Sequence, residues 1–393
     1  MLASVAMALQ AGWTVLAPAP TPADNPVRGL VPYQGQGQNR FPHSMEFNYL
    51  PLDAVMMGED RFEWTSLENL LEDIKSRGNQ TVVRFYLEYP GQPSGVPRYL
   101  RDAGLKLHRY LNTNTQPFPP QVVLTPDYTD PRLERALVRF IEAFGRKYDG
   151  DPRLGYVTAG LLGTWGEWHT HPRNDLHPPK RLQTAVMDAY EKAFRRTPVL
   201  LRYPSGEGDA MYASNTRRRL GYHDDSFAWA TLDTGKPSDS WFFVPRLKAA
   251  GVQDRWKSAP IGGEIRPEAW GRVFDPEPLL PEIQDFDRCV AETRATWLMD
   301  SGMFQSPPSR ERLARALGSV AKMGYAFKVT RSRRTSGGVE FEVENQGVAP
   351  FYFPWPAEVA SLEGARLTRR VPVRFDWRNL MPGEKAVLKK YFK

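Results

Sequence analysis

The chain has 393 residues, 41% of them hydrophobic and 25% charged, a globular composition that excludes a disordered or collagen-like polymer. Its 52 Lys and Arg against 45 Asp and Glu give a formal net charge of +7. The basic residues are scattered, the densest runs (217–219 and 331–334) are short, and no RNA- or DNA-binding motif occurs, so the excess reads as solvated surface with no nucleic-acid partner. A single cysteine, Cys289, excludes an intrachain disulfide and a thiolate metal cluster.

The chain opens on MLASVAMALQAGWTVLAPAPTPADNP, the apolar and small-residue parts of a secretory signal followed by a Pro-rich spacer, without a basic n-region. Residues 1–24 therefore read either as an apolar leader or as a truncated signal peptide, with a Pro-rich spacer, and the expected location is secreted or periplasmic. No other stretch is long and apolar enough for a membrane span, so no integral membrane association is expected.

Strand and helix patterns then alternate. MEFNYLPL (45–52) reads as a first strand. SLENLLEDIKSRG follows as a helix with Ser66 as cap and Gly78 as stop. The β-branched and aromatic run TVVRFYLEY (81–89) is the clearest early strand. Either LKLHRYL (105–111) or QVVLTPDY (121–128) supplies a third. DPRLERALVRFIEAFGRKYDG (130–150) is an amphipathic helix with an Asp cap and a Gly end. A fourth strand runs into GLLGTWGEWHT (160–170).

After the helical LQTAVMDAYEKAFRR (182–196) come TPVLLRYP (197–204) as strand five and RRLGYHDDSF (218–227) as strand six. APIGGEI (259–265) follows as strand seven and TWLMDSG (296–302) as strand eight, with helices at 245–251, 281–295 and 310–324. Eight strands interleaved with helices predict a (β/α)8 barrel over residues 25–324, whose usual size is about 250 residues plus insertions. No GxGxxG or Walker loop opens any helix, so the doubly wound alternative and a nucleotide cofactor lack support, and no cofactor is expected. From Tyr325 the pattern turns to period two, predicting a small immunoglobulin-like β-sandwich over 325–393.

In such a barrel the strand C-terminal ends face the active site. Those ends collect Arg84 and Glu88, then Trp165, Glu167, Trp168 and His169. Arg202, Tyr203, His223, Asp224 and Asp225 follow, with Glu264, Arg266, Trp297 and Asp300 closing the ring. Glu167 in GTWGEWHT and Glu264 in IGGEIRPE stand out as glycine-flanked carboxylates on strands four and seven.

A carboxylate pair there suits retaining glycoside hydrolysis, with Glu167 as acid/base in an apolar setting and Glu264 as ionised nucleophile held so by Arg266. The remaining site residues are expected to bind an oligo- or polysaccharide substrate, the indoles of Trp165 and Trp168 stacking on sugar faces. Asp224 and Asp225 suit either sugar hydroxyls or a cap, and Glu88 either a hydroxyl or an arginine. His169 and His171 form an HxH pair, but no spaced His/Asp set completes a metal site, so His169 reads as a partner of substrate or of Glu167. There is no GxSxG elbow.

Six strings in order, NPVRGL (25–30), RFYLEYPG (84–91), GTWGEWHT (163–170), GYHDDSFAWAT (221–231), IGGEIRPE (261–268) and NQGVAPFYFPW (345–355), resemble a bacterial family of paired domains of unknown function, numbered 4874 (N-terminal) and 4832 (C-terminal). The resemblance implies a glycosidase-like barrel followed by a β-sandwich, in proteins that are often exported. It supplies no substrate. The expected function is a retaining glycoside hydrolase using Glu167 and Glu264. Its alternatives are a non-catalytic glycan-binding protein on the same barrel and a metal-dependent hydrolase. Oligomeric state is not legible.

Overall fold

A computed structural model describes residues 12–37, 40–113, 119–277 and 279–391; the apolar leader up to residue 11 lies outside them. Eight parallel strands form the barrel: β1 (Gly29–Val31), β2 (Met45–Pro51), β3 (Gln80–Tyr86), β4 (Leu154–Thr158), β5 (Val199–Arg202), β6 (Gly221–Phe227), β7 (Ile261–Ile265) and β8 (Trp297–Met299). From β2 onward each pairs with the next, and β8 pairs with β1. The ring closes between β1 and β2 through a parallel bridge of Tyr33 to Phe47, where Phe47 N–H donates to the Pro32 carbonyl at 2.8 Å.

Two strand expectations need correction, and they cancel. The first barrel strand is Gly29–Val31, too short to stand out by periodicity. The expected third strand is instead an antiparallel hairpin, Leu107–Asn112 with Gln121–Pro126, outside the barrel sheet. Glu167 therefore still follows the fourth strand, and Glu264 lies near the end of the seventh.

The fourth strand also ends earlier than expected, at Thr158, so GLLGT is turn. Gly160 begins it: a Cβ there would lie 2.1 Å from the Phe85 carbonyl oxygen, so only glycine lets the chain leave the sheet beside β3.

The helices α1 (Thr65–Ser76), α2 (Pro131–Tyr148), α3 (Lys180–Ala193), α4 (Phe243–Ala249), α5 (Phe286–Thr293) and α6 (Arg310–Val320) cover the outside. On α2 the Asp130 carboxylate accepts from Arg132 N–H and Pro131 occupies the first turn, while Leu133, Leu137, Phe140, Ile141 and Phe144 make its buried stripe. That stripe meets outward residues of β3, with the Phe85 and Phe140 rings 4.8 Å apart. Helix α1 starts at Thr65 without a side-chain cap, so Ser66 does not take the expected role.

Strand period two decides what points where. Val83 and Phe85, Val157, Leu201, Ile265 and Leu298 face the helices. Phe47, Val82, Tyr156, Leu200, Trp297 and Met299 join one cluster that fills the barrel. Above that cluster the inward positions turn polar, bringing Tyr49, Arg84, Thr158, His223 and Glu264 into one hydrogen-bonded group.

Below the barrel, the C-terminal residues form an antiparallel sheet of β9 (Phe327–Thr335), β10 (Gly338–Asn345) and β13 (Lys385–Tyr391). Thr14 and Val15, within the segment expected as leader and spacer, add an edge to it opposite Ser332 and Arg331. A two-stranded ribbon, β11 (Ala357–Glu363) with β12 (Arg366–Val373), shares a core with that sheet. PFYFPW (350–355), within the region of period-two pattern, is not strand: Phe351 and Phe353 pack into the cluster that fills the barrel, Phe353 with its ring 5.4 Å from that of Tyr156.

Candidate active site

At the C-terminal face a cleft of about 580 Å³ opens over the polar inward residues. Its floor centres on Arg84, whose side chain is 1% exposed. Its Nε donates to Thr158 Oγ1 at 2.9 Å and its Nη1 to the Tyr49 hydroxyl at 3.0 Å. Nη1 lies 3.2 Å from Glu167 Oε1, and Nη2 lies 2.7 Å from Glu264 Oε1. One guanidinium thus spans both predicted carboxylates. Its terminal nitrogens are only about 2.3 Å apart, which limits the two Oε1 atoms to a separation of about 8 Å.

Glu264 is the better buried of the two, with 9% of its side chain exposed against 13% for Glu167. Burial pushes the Glu264 carboxyl up, but Arg84 and the hydrogen bond from His223 outweigh it and hold the group below its ordinary range. Tyr49 adds a hydroxyl contact at 3.2 Å. His223, wholly buried, has its Nε2 3.0 Å from Glu264 Oε1 and 2.8 Å from Arg84 Nη2; burial and then the arginine push its pKa down, so its ring is neutral at neutral pH. Arg266 does not hold Glu264, as the sequence suggested. It pairs with Glu268 at 2.9 Å.

Glycines 262 and 263 make this placement possible for a reason other than substrate access. A Cβ at Gly262 would strike the Trp297 indole at 2.5 Å, and one at Gly263 would meet the Asp224 carbonyl oxygen at 2.2 Å. They let strands β6, β7 and β8 pack tightly enough to aim Glu264 inward.

Glu167 sits in a turn rich in left-handed residues: Leu161, Trp165 and Trp168 have φ of 71°, 55° and 58°, alongside Gly163 and Gly166. Each non-glycine residue there costs about 1–2 kcal/mol, a strain pattern typical of functional turns. The result is an alternation. Trp165, Glu167 and His169 line the cleft, whereas Trp168 is 2% exposed and donates its indole N–H to the Ala159 carbonyl at 2.6 Å. Trp168 is core, not a stacking platform. His169 Nε2 lies 3.3 Å from Glu167 Oε2.

Among the other predicted residues, Arg202, Tyr203 and Asp225 line the cleft, with Arg202 Nε 2.8 Å from Asp225. Burial raises and Arg202 then lowers the Asp225 pKa, with a net shift downward.

Asp224, one step along the strand, faces away. It accepts from Thr231 Oγ1 at 2.6 Å and from Ser226 N–H at 3.0 Å, and burial raises its pKa to about 7. Trp297 is fully buried, stacked on Tyr156 with ring centroids 5.6 Å apart, and cannot meet substrate. Asp300 accepts from Gly271 and Gly302 N–H groups and likewise lies outside the cleft lining.

Glu88 is buried and pairs with neither Arg84 nor Arg202. It accepts from the Tyr128 hydroxyl at 2.8 Å and from Thr125, and burial lifts its pKa to about 7. Tyr128 in turn accepts the Gly163 N–H at 2.7 Å, and the Glu88 carbonyl accepts Trp165 N–H at 3.1 Å. Glu88 thus anchors the turn that carries Glu167.

The sequence reading missed Tyr33, Tyr49, Tyr89, Tyr212, Trp241 and Trp270, all cleft-lining aromatics. Tyr49 was legible as the inward partner of Phe47 on one strand, but Tyr33 follows a strand of three residues. Trp241 and Trp270 sit on irregular βα connections without a periodic signal.

One ligand atom each from Glu167, His169 and Asp225 lies within 4.8 Å of the others, the grouping among the described residues that could hold a cation. The grouping takes His169 from the HxH pair but not His171, and adds Glu167 and Asp225.

No family model matches the chain, and no curated protein matches it. Among solved structures, the chain is similar to endo-glycoceramidase II from Rhodococcus sp., at 12% identity over 96% of this chain and 100% of that one, with a TM-score of 0.45. It is also similar to GH5_18 from Bifidobacterium longum subsp. longum, at 13% identity over 70% of this chain and 69% of that one, with a TM-score of 0.43.

Proposed function

We propose that this protein is a retaining glycoside hydrolase acting on an oligo- or polysaccharide, with Glu264 as nucleophile and Glu167 as acid/base. The observation that carries the reading is the Arg84 guanidinium bridging two carboxylates, one from the turn after β4 and one from β7, at the floor of an open, aromatic-lined cleft. Glu264, held ionised by Arg84 and His223, attacks the anomeric carbon while Glu167 gives its proton to the leaving glycosidic oxygen. Water then attacks the glycosyl ester, losing its proton to Glu167 and releasing Glu264. Retaining enzymes separate these groups by about 5–5.5 Å, inside the limit set by the shared arginine. Trp165, Trp241 and Trp270 supply flat apolar faces for sugar rings.

The same sequence features support two further proposals: membership of the paired 4874/4832 domain family, and secretion or a periplasmic location. Among the described residues no helix is long and apolar enough to cross a membrane. We also take the C-terminal sheet and ribbon as a small immunoglobulin-like sandwich, on their shared core of Val343, Ala357, Leu380 and Leu388.

The test is a panel of aryl glycosides and polysaccharides against the wild type, Glu167→Gln and Glu264→Gln. Each variant should lose kcat by about 10²–10⁴-fold while sugar binding survives. Substrate binding without turnover in the wild type would make the protein a glycan binder, and unchanged turnover in both variants would refute the assignment.

A further inference from the structure

The net positive charge has a local focus away from the proposed active site. A second cleft, of about 340 Å³, opens where strands β5, β6 and β7 begin, at the barrel face opposite the carboxylate pair, and Phe351 and Tyr352 of the C-terminal segment form part of its wall. Five cations line it, Arg195, Arg196, Arg219, Lys257 and Arg378, against one carboxylate, Glu191.

The cations are not equivalent. Arg219 has Glu191 at 3.4 Å, Lys257 has Asp254 at 3.1 Å and Arg378 has Asp376 at 2.6 Å. Arg195 and Arg196 have no carboxylate within ion-pair distance among the described residues; the Arg195 Nε reaches only the Lys192 carbonyl, at 3.3 Å. What fixes these two residues is their backbone. The Asp149 carboxylate accepts the N–H groups of Arg195, Arg196 and Thr197 at 2.8–2.9 Å, so it bonds their main chain and forms no ion pair with either guanidinium. Two adjacent unpaired guanidiniums at the rim of a recess lined by three more cations concentrate positive potential there. Their planar donor forks match a tetrahedral oxyanion.

We propose that this cleft is an anion-binding site, separate from the glycosidase cleft, that takes a phosphate or sulfate ester group, with Arg195 and Arg196 as its principal ligands. Phosphate and sulfate share the tetrahedral, multiply charged geometry the arginines fit. The recess between barrel and C-terminal segment suits a headgroup or free ester that can enter it. The inference does not depend on the activity proposed for the opposite face, because its readout is binding.

The experiment is calorimetric titration of the full chain with inorganic pyrophosphate, and in parallel co-sedimentation with phosphatidylglycerol vesicles, at low and at physiological salt. The variants are Arg195→Gln/Arg196→Gln and a control of equal charge loss on the exposed ribbon, Arg366→Gln/Arg370→Gln. Pyrophosphate binding should weaken at least tenfold in the first variant and stay within twofold of wild type in the control, with melting temperatures showing both to be folded. Vesicle binding that follows the same pattern would identify the ester as a lipid headgroup, and its absence would leave a free or polymer-borne ester. The proposal is overturned by no measurable pyrophosphate binding, by equal weakening in both variants, or by vesicle binding alone, which would mean diffuse surface attraction.

Discussion

Replacing Arg84 with methionine separates the roles of the site's central cation. The variant keeps the length and apolar stem of the side chain but removes the ion pairs to Glu264 and Glu167 and the donors to Thr158 and Tyr49. Breaking a buried pair from one side costs about 3–5 kcal/mol, because the carboxylate left behind is desolvated and unpaired. At roughly 2 °C per kcal/mol for a large domain, that is a fall in Tm of about 6–10 °C.

The sign of the pH dependence follows from Glu264. In the wild type its pKa lies below the unfolded value, so its contribution to stability is present above about pH 4.5 and is lost as pH falls through the lower folded value. Without Arg84 the largest influence opposing burial is gone, leaving only the His223 and Tyr49 hydrogen bonds, so the pKa moves up and the variant is penalised as pH rises. The gap in Tm between the two proteins should therefore be widest at pH 7.5 and narrow towards pH 4.5, as read by scanning calorimetry. A gap that is small, or that is constant across this range, would refute the assignment of Arg84 as the charge that holds Glu264 ionised.

Three further predictions bear on the scaffold around the site. Glu88 keeps its proton to about pH 7 when folded but only to 4.5 when unfolded, so it lowers stability as pH rises through that window. Glu88→Gln should recover up to about 3 kcal/mol at pH 8 and almost nothing at pH 4.5, whereas Tyr128→Phe should loosen the Glu167 turn, seen as faster amide exchange at Gly163. Trp168→Ala should cost about 3–5 kcal/mol of stability as a core cavity, while Trp165→Ala should leave Tm within about 2 °C and weaken sugar binding roughly tenfold; equal thermal effects would contradict the alternation of the turn. Gly263→Ala, which would force a methyl to within 2.2 Å of the Asp224 carbonyl, should destabilise by about 1–3 kcal/mol and reduce any turnover by displacing Glu264. A fully active and stable Gly263→Ala would show that the strand contact is not as close as described.

The clustering of functional side chains at strand ends was legible because inward and outward positions alternate along each strand. Where a residue's face followed from that alternation, the sequence located it: Glu264, Arg84 and Arg202 all come to the cleft or its floor. Where two candidates were neighbours, composition could not choose. Asp224 and Asp225 are chemically identical and one position apart, yet strand register sends one to a turn and the other to the cleft. The same held in the turn after β4, where left-handed residues reverse the chain and put Trp165 outside and Trp168 in the core.

By itself, then, the amino-acid order determined the alternation of strands and helices, the change of pattern at Tyr325 and the two glycine-flanked glutamates. These are local properties, set by side-chain periodicity and by the backbone freedom of glycine. It could not show that the ring starts at Gly29 and that a hairpin stands outside it, since three residues carry no period and an antiparallel pair has the same composition as a barrel strand. Nor could it show which cation joins Glu167 to Glu264. Arg266 is two residues from Glu264 in sequence and pairs elsewhere, while Arg84, 180 positions away, closes the pair because the barrel brings β3 opposite β7. Electrostatic partners are chosen by distance in space, and only the closed barrel fixes those distances.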